Sequence, residues 1–214
     1  MQAEEDLNEI ETAPLLAPTR LLLVRHGESI ANVEGRMQGL GNDPLSPQGR
    51  AQSQRLAAWL GAQKAEIAAL FASPLQRARE TASLLAERLG LEVQPYPGLE
   101  EIGLGDLEES SVEVLTAALR AGNITLTHRA EDPKDFVVRV VASISEIVNL
   151  HRGQTVVVVT HLGTICMALA YWQGQDISRA WELHGDNLRN TAISELVFGE
   201  EVVLIRHNYA PHLD

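Results

Sequence analysis

Three short segments of the chain share one chemical vocabulary. Arg25-His26-Gly27-Glu28 follows the apolar run at 20–24, Arg77 comes shortly after a second run at 67–72, and Thr160-His161 ends a third at 155–160. An arginine offers a planar fork of N–H donors that matches the oxygens of a phosphoryl group and stays charged at any working pH, which lysine does not reproduce. Taken singly, each residue has an ordinary explanation: a histidine beside glycine is a solvated loop residue, and an arginine on a helix is a solvated face. Their joint arrangement says more, because both histidines fall one or two residues beyond apolar runs of strand length. In an open parallel sheet such strand ends converge at the carboxyl edge, where ligands bind, so two histidines and two arginines are expected to face one pocket.

That convergence needs a particular set of elements. Residues 20–24 read as a buried strand feeding a loop. Ser46-Pro47 starts a helix as N-cap and first helical residue, and Leu56, Ala57 and Leu60 carry it to Gly61. A strand at 67–72 leads through Ser73-Pro74 into an amphipathic helix that Gly90 closes. The stretch 95–110 is polar and irregular, a short helix is expected at 112–120, and a longer one at 134–150, where Phe136, Val140, Ile144 and Ile147 recur at helical spacing. TVVVVT at 155–160 is the strongest strand signal, with an apolar helix after it to Trp172. Strands at 191–198 and 201–206 close the chain around Gly199-Glu200. Alternating β and α segments predict a three-layer α/β/α sandwich with a mainly parallel central sheet.

Composition bounds the function. Residues 1–18 carry Glu4, Glu5, Asp6, Glu9 and Glu11, two prolines and no basic residue until Arg20, which predicts a flexible acidic leader before a single domain at 19–214. The net charge of −12 argues against a nucleic-acid surface but not against a small phosphorylated ligand, since a few clustered arginines set the local field of a cleft. No run approaches the roughly 18 apolar residues of a membrane span. The acidic start does not read as a secretory signal. One cysteine, Cys166, forms neither an intramolecular disulfide nor a thiolate metal cluster, and it sits in an apolar segment as a buried small side chain. A reducing cytoplasm is expected, and a homodimer is compatible with the reading.

The text LLLVRHGESIAN (21–32), RMQGLGNDPLSPQGRAQ (36–52), ASPLQRARETA (72–82), LEEIGLG (99–105), VVVVTHLGTI (156–165) and NTAISEL (190–196) resembles the histidine phosphatase superfamily, also called phosphoglycerate mutase-like. Order and spacing agree over nearly all of the chain after residue 19. The resemblance implies a phosphoglycerate mutase-like fold and no metal or other cofactor. It implies that His26 attacks phosphorus and becomes phosphohistidine, its other ring nitrogen held by a main-chain carbonyl. Arg25 and Arg77 would bind the phosphoryl oxygens, His161 would add a donor or positive charge, and Asn32 a neutral donor. The family's acid lies in Leu-x-Glu-Ile before a glycine; here that reads Leu99-Glu100-Glu101-Ile102, which points to Glu101 rather than Glu100. A carboxylate near two arginines normally has its pKa lowered, so an acid role requires desolvation or a bound phosphate to oppose them.

Two departures touch the pocket rim. Asp106-Leu107-Glu108-Glu109 stands where the family often continues with an aromatic residue, Glu and Gly, and Leu162 follows His161 where glycine is common. They bear on substrate identity more than on phosphoryl chemistry. The remaining histidines, His128, His151, His184, His207 and His212, read as surface or supporting residues.

The leading function is hydrolysis of a small phosphorylated metabolite. The alternatives are a phosphoglycerate mutase and a non-catalytic phospho-ligand or protein-binding module on the same fold. A binding module has no need of the nucleophile and acid. A metallohydrolase fits least, since no ligand spacing such as H-E-x-x-H occurs. The mutases that the chain resembles carry longer insertions between acid and second histidine; the short stretch here leaves little chain to keep water from a phosphohistidine, which favours hydrolysis.

Overall fold

The computed structural model describes residues 17–63, 66–111, 129–185 and 187–214; most of the expected leader, the expected helix at 112–120 and His128 lie outside them. One six-stranded sheet is formed by β1 (Thr19–Arg25), β2 (Ile67–Ala72), β3 (Val93–Pro95), β4 (Thr155–Thr160), β5 (Ile193–Phe198) and β6 (Val202–Tyr209), in the order β3-β2-β4-β1-β5-β6. The first four in that order are parallel, and β5 and β6 add antiparallel beside β1. The expected mainly parallel sheet is present.

Strand alternation builds the layers. Leu21 and Leu23 of β1, Phe71 of β2 and Val156 and Val158 of β4 face one side, where α4 (Pro133–Leu150) and α5 (Leu162–Trp172) pack with Phe136, Val140, Ile144 and Ile165. Leu22, Val24, Leu70, Val157 and Val159 face the other side, against Leu56 and Leu60 of α2 (Pro47–Ala62) and Ala82 and Leu85 of α3 (Gln76–Leu89). β4 is buried along its whole length. The short helices α1 (Ile30–Val33) and α6 (Ala180–His184) flank the carboxyl edge of the sheet. As the sequence predicts, Ser46 caps α2, its hydroxyl accepting from Gly49 N at 2.9 Å, and Gly90 ends α3 with φ +68°.

Two differences have simple causes. β3 lies within and before the stretch read as irregular, because three residues ending in Pro95 carry no alternation; an edge position tolerates that proline. β6 runs to Tyr209, past the expected end at 206, because its polar RHNY segment is an edge strand paired on one side only. No helix among the described residues is long and apolar enough to cross a membrane.

β1 leads toward helices on one face and β4 leads into α5 on the other. The chain therefore parts between β1 and β4 at their carboxyl ends, which is where an open sheet leaves a crevice. Register makes the crevice specific: Arg25 pairs with Thr160, and Ala72 with Val159. The residues that follow, His26, His161 and Ser73, thus leave adjacent strands at one level.

Candidate active site

His26 N donates to Thr160 O at 2.9 Å and Ser73 N to Val159 O at 2.9 Å, so the strand ladder continues one residue into the site. Neighbouring strands lie about 4.8 Å apart, and the rings of His26 and His161 accordingly stand 5.3 Å apart, centre to centre. Both rings are buried.

The nucleophile candidate is held in one tautomer. His26 Nδ1 lies 2.7 Å from the Gly27 carbonyl, which can only accept, so Nδ1 carries the proton and Nε2 keeps its lone pair. Burial first, then Arg77 and Arg25, hold the imidazole pKa well below 6.5, so the ring is neutral. The loop around it is packed without slack. A Cβ on Gly49 would fall 1.9 Å from Glu28 O, so the start of α2 sits against the Arg25–Glu28 turn only because residue 49 has none. Thr81 Oγ1 accepts from Gly27 N at 2.9 Å and donates to Arg77 O at 2.8 Å, tying nucleophile loop and arginine to α3.

Arg77 is 1% exposed and committed on three sides. Its Nη1 donates to Gly41 O at 2.6 Å, Nη2 to Gly39 O at 2.9 Å and Nε to His161 Nδ1 at 3.2 Å. Burial brings its pKa down to about 10, which still leaves it charged at neutral pH. Arg25 donates from Nη1 to Leu188 O, while its buried Nε makes no hydrogen bond among the described residues.

Of the two roles expected of His161, a donor or a positive charge, its hydrogen bonds speak for a neutral donor. Since cationic Arg77 donates to its Nδ1, that nitrogen must hold a lone pair, and Nε2 donates to Ser73 Oγ at 2.7 Å. Burial and the arginines hold its pKa well below 6.5 in agreement. The ring is neutral and orients Arg77.

Glu101 lies at the first turn of α5, which His161 caps. Its Oε2 accepts from Gly163 N and its Oε1 from Ile102 N, both at 2.9 Å. A Cβ on Gly163 would fall 2.2 Å from Glu101 Oε1, so only glycine lets the carboxyl reach this helix end. Burial raises its pKa, outweighing the two N–H bonds, Arg77 and Arg25, which all lower it. Desolvation thus opposes the arginines. Glu100 turns away instead, its Oε2 accepting from Gly98 N at 2.6 Å.

Asn32 joins the site through its oxygen. Oδ1 accepts from Ser29 N at 3.1 Å and from Asn190 Nδ2 at 3.3 Å, and Asn190 Nδ2 also donates to His26 O at 3.0 Å. With Oδ1 so engaged, the amide nitrogen is the side chain's remaining donor.

Several supporting residues escaped the sequence reading. Ser73 was legible in principle, being one residue past β2 as His26 and His161 are past β1 and β4. Asn190 lies in a matched segment but had no role assigned. Next to it Thr191, at φ +61°, donates from N to Arg25 O at 2.9 Å and from Oγ1 to Asn190 O at 2.6 Å, and accepts from His212 Nε2 at 2.9 Å. Of the two readings for His212, surface or supporting, the buried bond to Thr191 fits the supporting one. His184 is buried as well, packed against His207 at 5.4 Å.

Arg139 gave no signal at all. All five of its N–H groups are used: Nε and Nη2 on the Glu131 carboxylate at 2.6 and 2.8 Å, Nη1 on Gly98 O and Glu100 O at 3.1 and 2.9 Å, and Nη2 on Glu101 O at 2.9 Å. It clamps the backbone of the loop that bears Glu101. Cys166 is buried, and burial pushes its thiol pKa up.

A neutral histidine with a free Nε2, flanked by two guanidinium groups and a carboxyl of raised pKa, can accept a phosphoryl group and protonate what it leaves. Comparison with known proteins agrees. The family model described as histidine phosphatase superfamily (branch 1) matches residues 21–209. A probable phosphoglycerate mutase GpmB of Enterobacter sp. (strain 638) is 31% identical over 150 residues, 66% of this chain and 69% of that protein. The adenosylcobalamin/alpha-ribazole phosphatase of Escherichia coli (strain K12) is 29% identical over 175 residues, 78% and 85% of the two. Among solved structures, Bacillus stearothermophilus YhfR superposes with a TM-score of 0.81 at 28% identity, covering 92% of this chain and all of that one.

Proposed function

The chain belongs to the histidine phosphatase superfamily, and from that premise we propose that it hydrolyses a small phosphomonoester through a phosphohistidine on His26, without a metal ion. The observation that carries the reading is the bond from His26 Nδ1 to Gly27 O, which leaves Nε2 of a neutral ring as the nucleophile. In the first step Nε2 attacks phosphorus, the bond to the ester oxygen breaks, and Glu101 gives that oxygen its proton. In the second, Glu101 as carboxylate takes a proton from water, the water oxygen attacks phosphorus, and the bond to Nε2 breaks to release phosphate. Arg25 and Arg77 supply the charge at the phosphoryl oxygens, and His161 and Ser73 fix the Arg77 fork. The expected setting is the cytoplasm, on the strength of the one buried cysteine.

A relative named as a probable mutase favours a second reading, in which the phosphoryl group returns to a substrate instead of water. One experiment separates them. Incubation with 3-phosphoglycerate and a catalytic amount of 2,3-bisphosphoglycerate gives free phosphate from a phosphatase accepting it and 2-phosphoglycerate from a mutase; rapid isomer formation with negligible phosphate would overturn hydrolysis. Labelled substrate and an acid-free quench should trap an acid-labile, alkali-stable adduct on His26, and label on another residue would overturn the nucleophile. Activity should persist in excess chelator.

A further inference from the structure

The leaving alcohol of the substrate must lie against Glu101, so whatever borders that carboxyl reads the substrate. The point above Gly163 is crowded from two sides: a Cβ there would meet Glu101 Oε1 at 2.2 Å and Trp181 Cη2 at 2.4 Å. The indole of Trp181, on α6, therefore borders the acid with one edge while 38% of the residue stays exposed. On the other side Leu40, 48% exposed, reaches to within 3.4 Å of where a Cβ of Gly103 would be, two residues past Glu101. Leu40 sits between the two glycines whose carbonyls hold Arg77. Two exposed large apolar side chains thus stand at this loop, Trp181 beside the acid itself and Leu40 beside Gly103.

Charge at this mouth points the same way. Arg36 is bound by Glu34, Asp43 and Glu109, and Arg139 by Glu131, so neither guanidinium is free to receive an anion. Glu108 accepts from Leu40 N at 3.0 Å, which puts a further carboxylate beside Leu40. A carboxylate on the leaving group would meet the Glu108 carboxylate beside Leu40, while an apolar ring would cover the exposed indole.

We propose that the substrates are phosphomonoesters of uncharged alcohols with an apolar ring that packs on Trp181 beside Glu101, rather than phosphorylated carboxylic acids. The inference rests on the phosphatase reading and narrows it.

The test compares benzyl phosphate, ethyl phosphate and 2-phosphoglycolate, whose alcohols all depend on protonation by Glu101, on the wild-type chain and on Trp181→Ala and Trp181→Phe. Wild type should favour benzyl over ethyl phosphate by about tenfold in kcat/KM, the order expected of one aromatic contact, and should turn over 2-phosphoglycolate least. Trp181→Ala should bring the benzyl-to-ethyl ratio to about one, and Trp181→Phe should keep most of it. Because the ratio is internal to each variant, a partly misfolded sample leaves it intact. An unchanged ratio in Trp181→Ala, or 2-phosphoglycolate outpacing benzyl phosphate in wild type, would overturn the inference while leaving the phosphatase standing. Hydrolysis of none of the three, with no phosphate released from any ester, would overturn both.

Discussion

The two sides of the pocket are built on different principles. On the phosphoryl side, strand ends in fixed register carry His26, Ser73 and His161, and Arg77 is held by two main-chain carbonyls and a neutral histidine. On the leaving-group side, Glu101 rides on an irregular loop whose backbone is gripped by the side chains of Arg139, Thr160 and Thr164, and the walls are exposed apolar residues. The first side presents charge at a set geometry, as one invariant group, the phosphoryl, requires. The second must tune a proton and accept a particular alcohol, and its placement depends on a few side-chain contacts. Damage to the first side should therefore hurt every substrate alike, and damage to the second should depend on the leaving group.

His26→Ala is the largest break. It removes the proposed nucleophile, so kcat should fall by about 10⁴-fold or more, equally for 4-nitrophenyl phosphate and for an alkyl phosphate. A loss confined to the alkyl ester would mean that the ring acts on the leaving group instead.

Glu101→Gln should cost about 10²–10⁴-fold on alkyl phosphates and little in the phosphorylation step of 4-nitrophenyl phosphate, whose leaving group needs no proton. The contrast with His26→Ala is the sharpest form of the comparison. Equal losses on both esters, or a larger loss from Glu100→Gln, would count against Glu101 as the acid.

These contrasts also mark what the sequence made legible. The phosphoryl side could be read from text because its geometry comes from β strands, whose apolar runs and ends are visible at 20–24, 67–72 and 155–160, and because the motifs around Arg25, His26, Arg77 and His161 are local. Ser73 follows from the same rule and was reachable. Arg139 was not: an arginine on the amphipathic helix α4 reads as a solvated face, and only the fold brings the loop at 98–101 onto its fork. His212 lies near the chain end with no periodic neighbour, and its bond to Thr191 exists only once β5 and the tail are in place. The neutral state of His161 was hidden for the same reason, since it depends on which atom of Arg77 it meets.

Acid should unfold the chain earlier than its carboxylates alone would suggest. His26 and His161 are buried and neutral, with pKa values held well below 6.5, whereas the unfolded chain takes up protons near 6.5. The unfolded state thus binds more protons below that pH, so the stability these rings contribute is fully present above about 6.5 and is lost as pH falls toward their folded values. Each ring adds a slope of about 1.4 kcal/mol per pH unit, about 2.7 for the pair. His212, brought to about 4, acts with the same sign. Urea midpoints taken from about pH 7 down to about pH 5 should drop steeply, and His161→Asn should flatten the curve by about one proton's worth. A flat profile over that range would mean that the rings are charged in the folded state.

The smallest effect expected is the most discriminating. Arg139 touches no reacting atom; it is a positioning residue that holds the carbonyls of Gly98, Glu100 and Glu101 with donors left over for Glu131. A lysine keeps the charge but replaces a planar five-donor fork with a three-donor point, so it can satisfy Glu131 or the loop but not both. The loop should then drift relative to Gly163 N, and Glu101 would protonate the leaving oxygen less often while phosphate binding at Arg25 and Arg77 stays as it was. Arg139→Lys should lower kcat on alkyl phosphates by about tenfold, as expected of a misplaced acid, with KM nearly unchanged and 4-nitrophenyl phosphate slowed by less than about threefold. Equal slowing of both esters would make Arg139 a residue of general stability only. A raised KM with kcat intact would instead assign it to substrate binding, and either result would erase the distinction between the two sides of the pocket at this position.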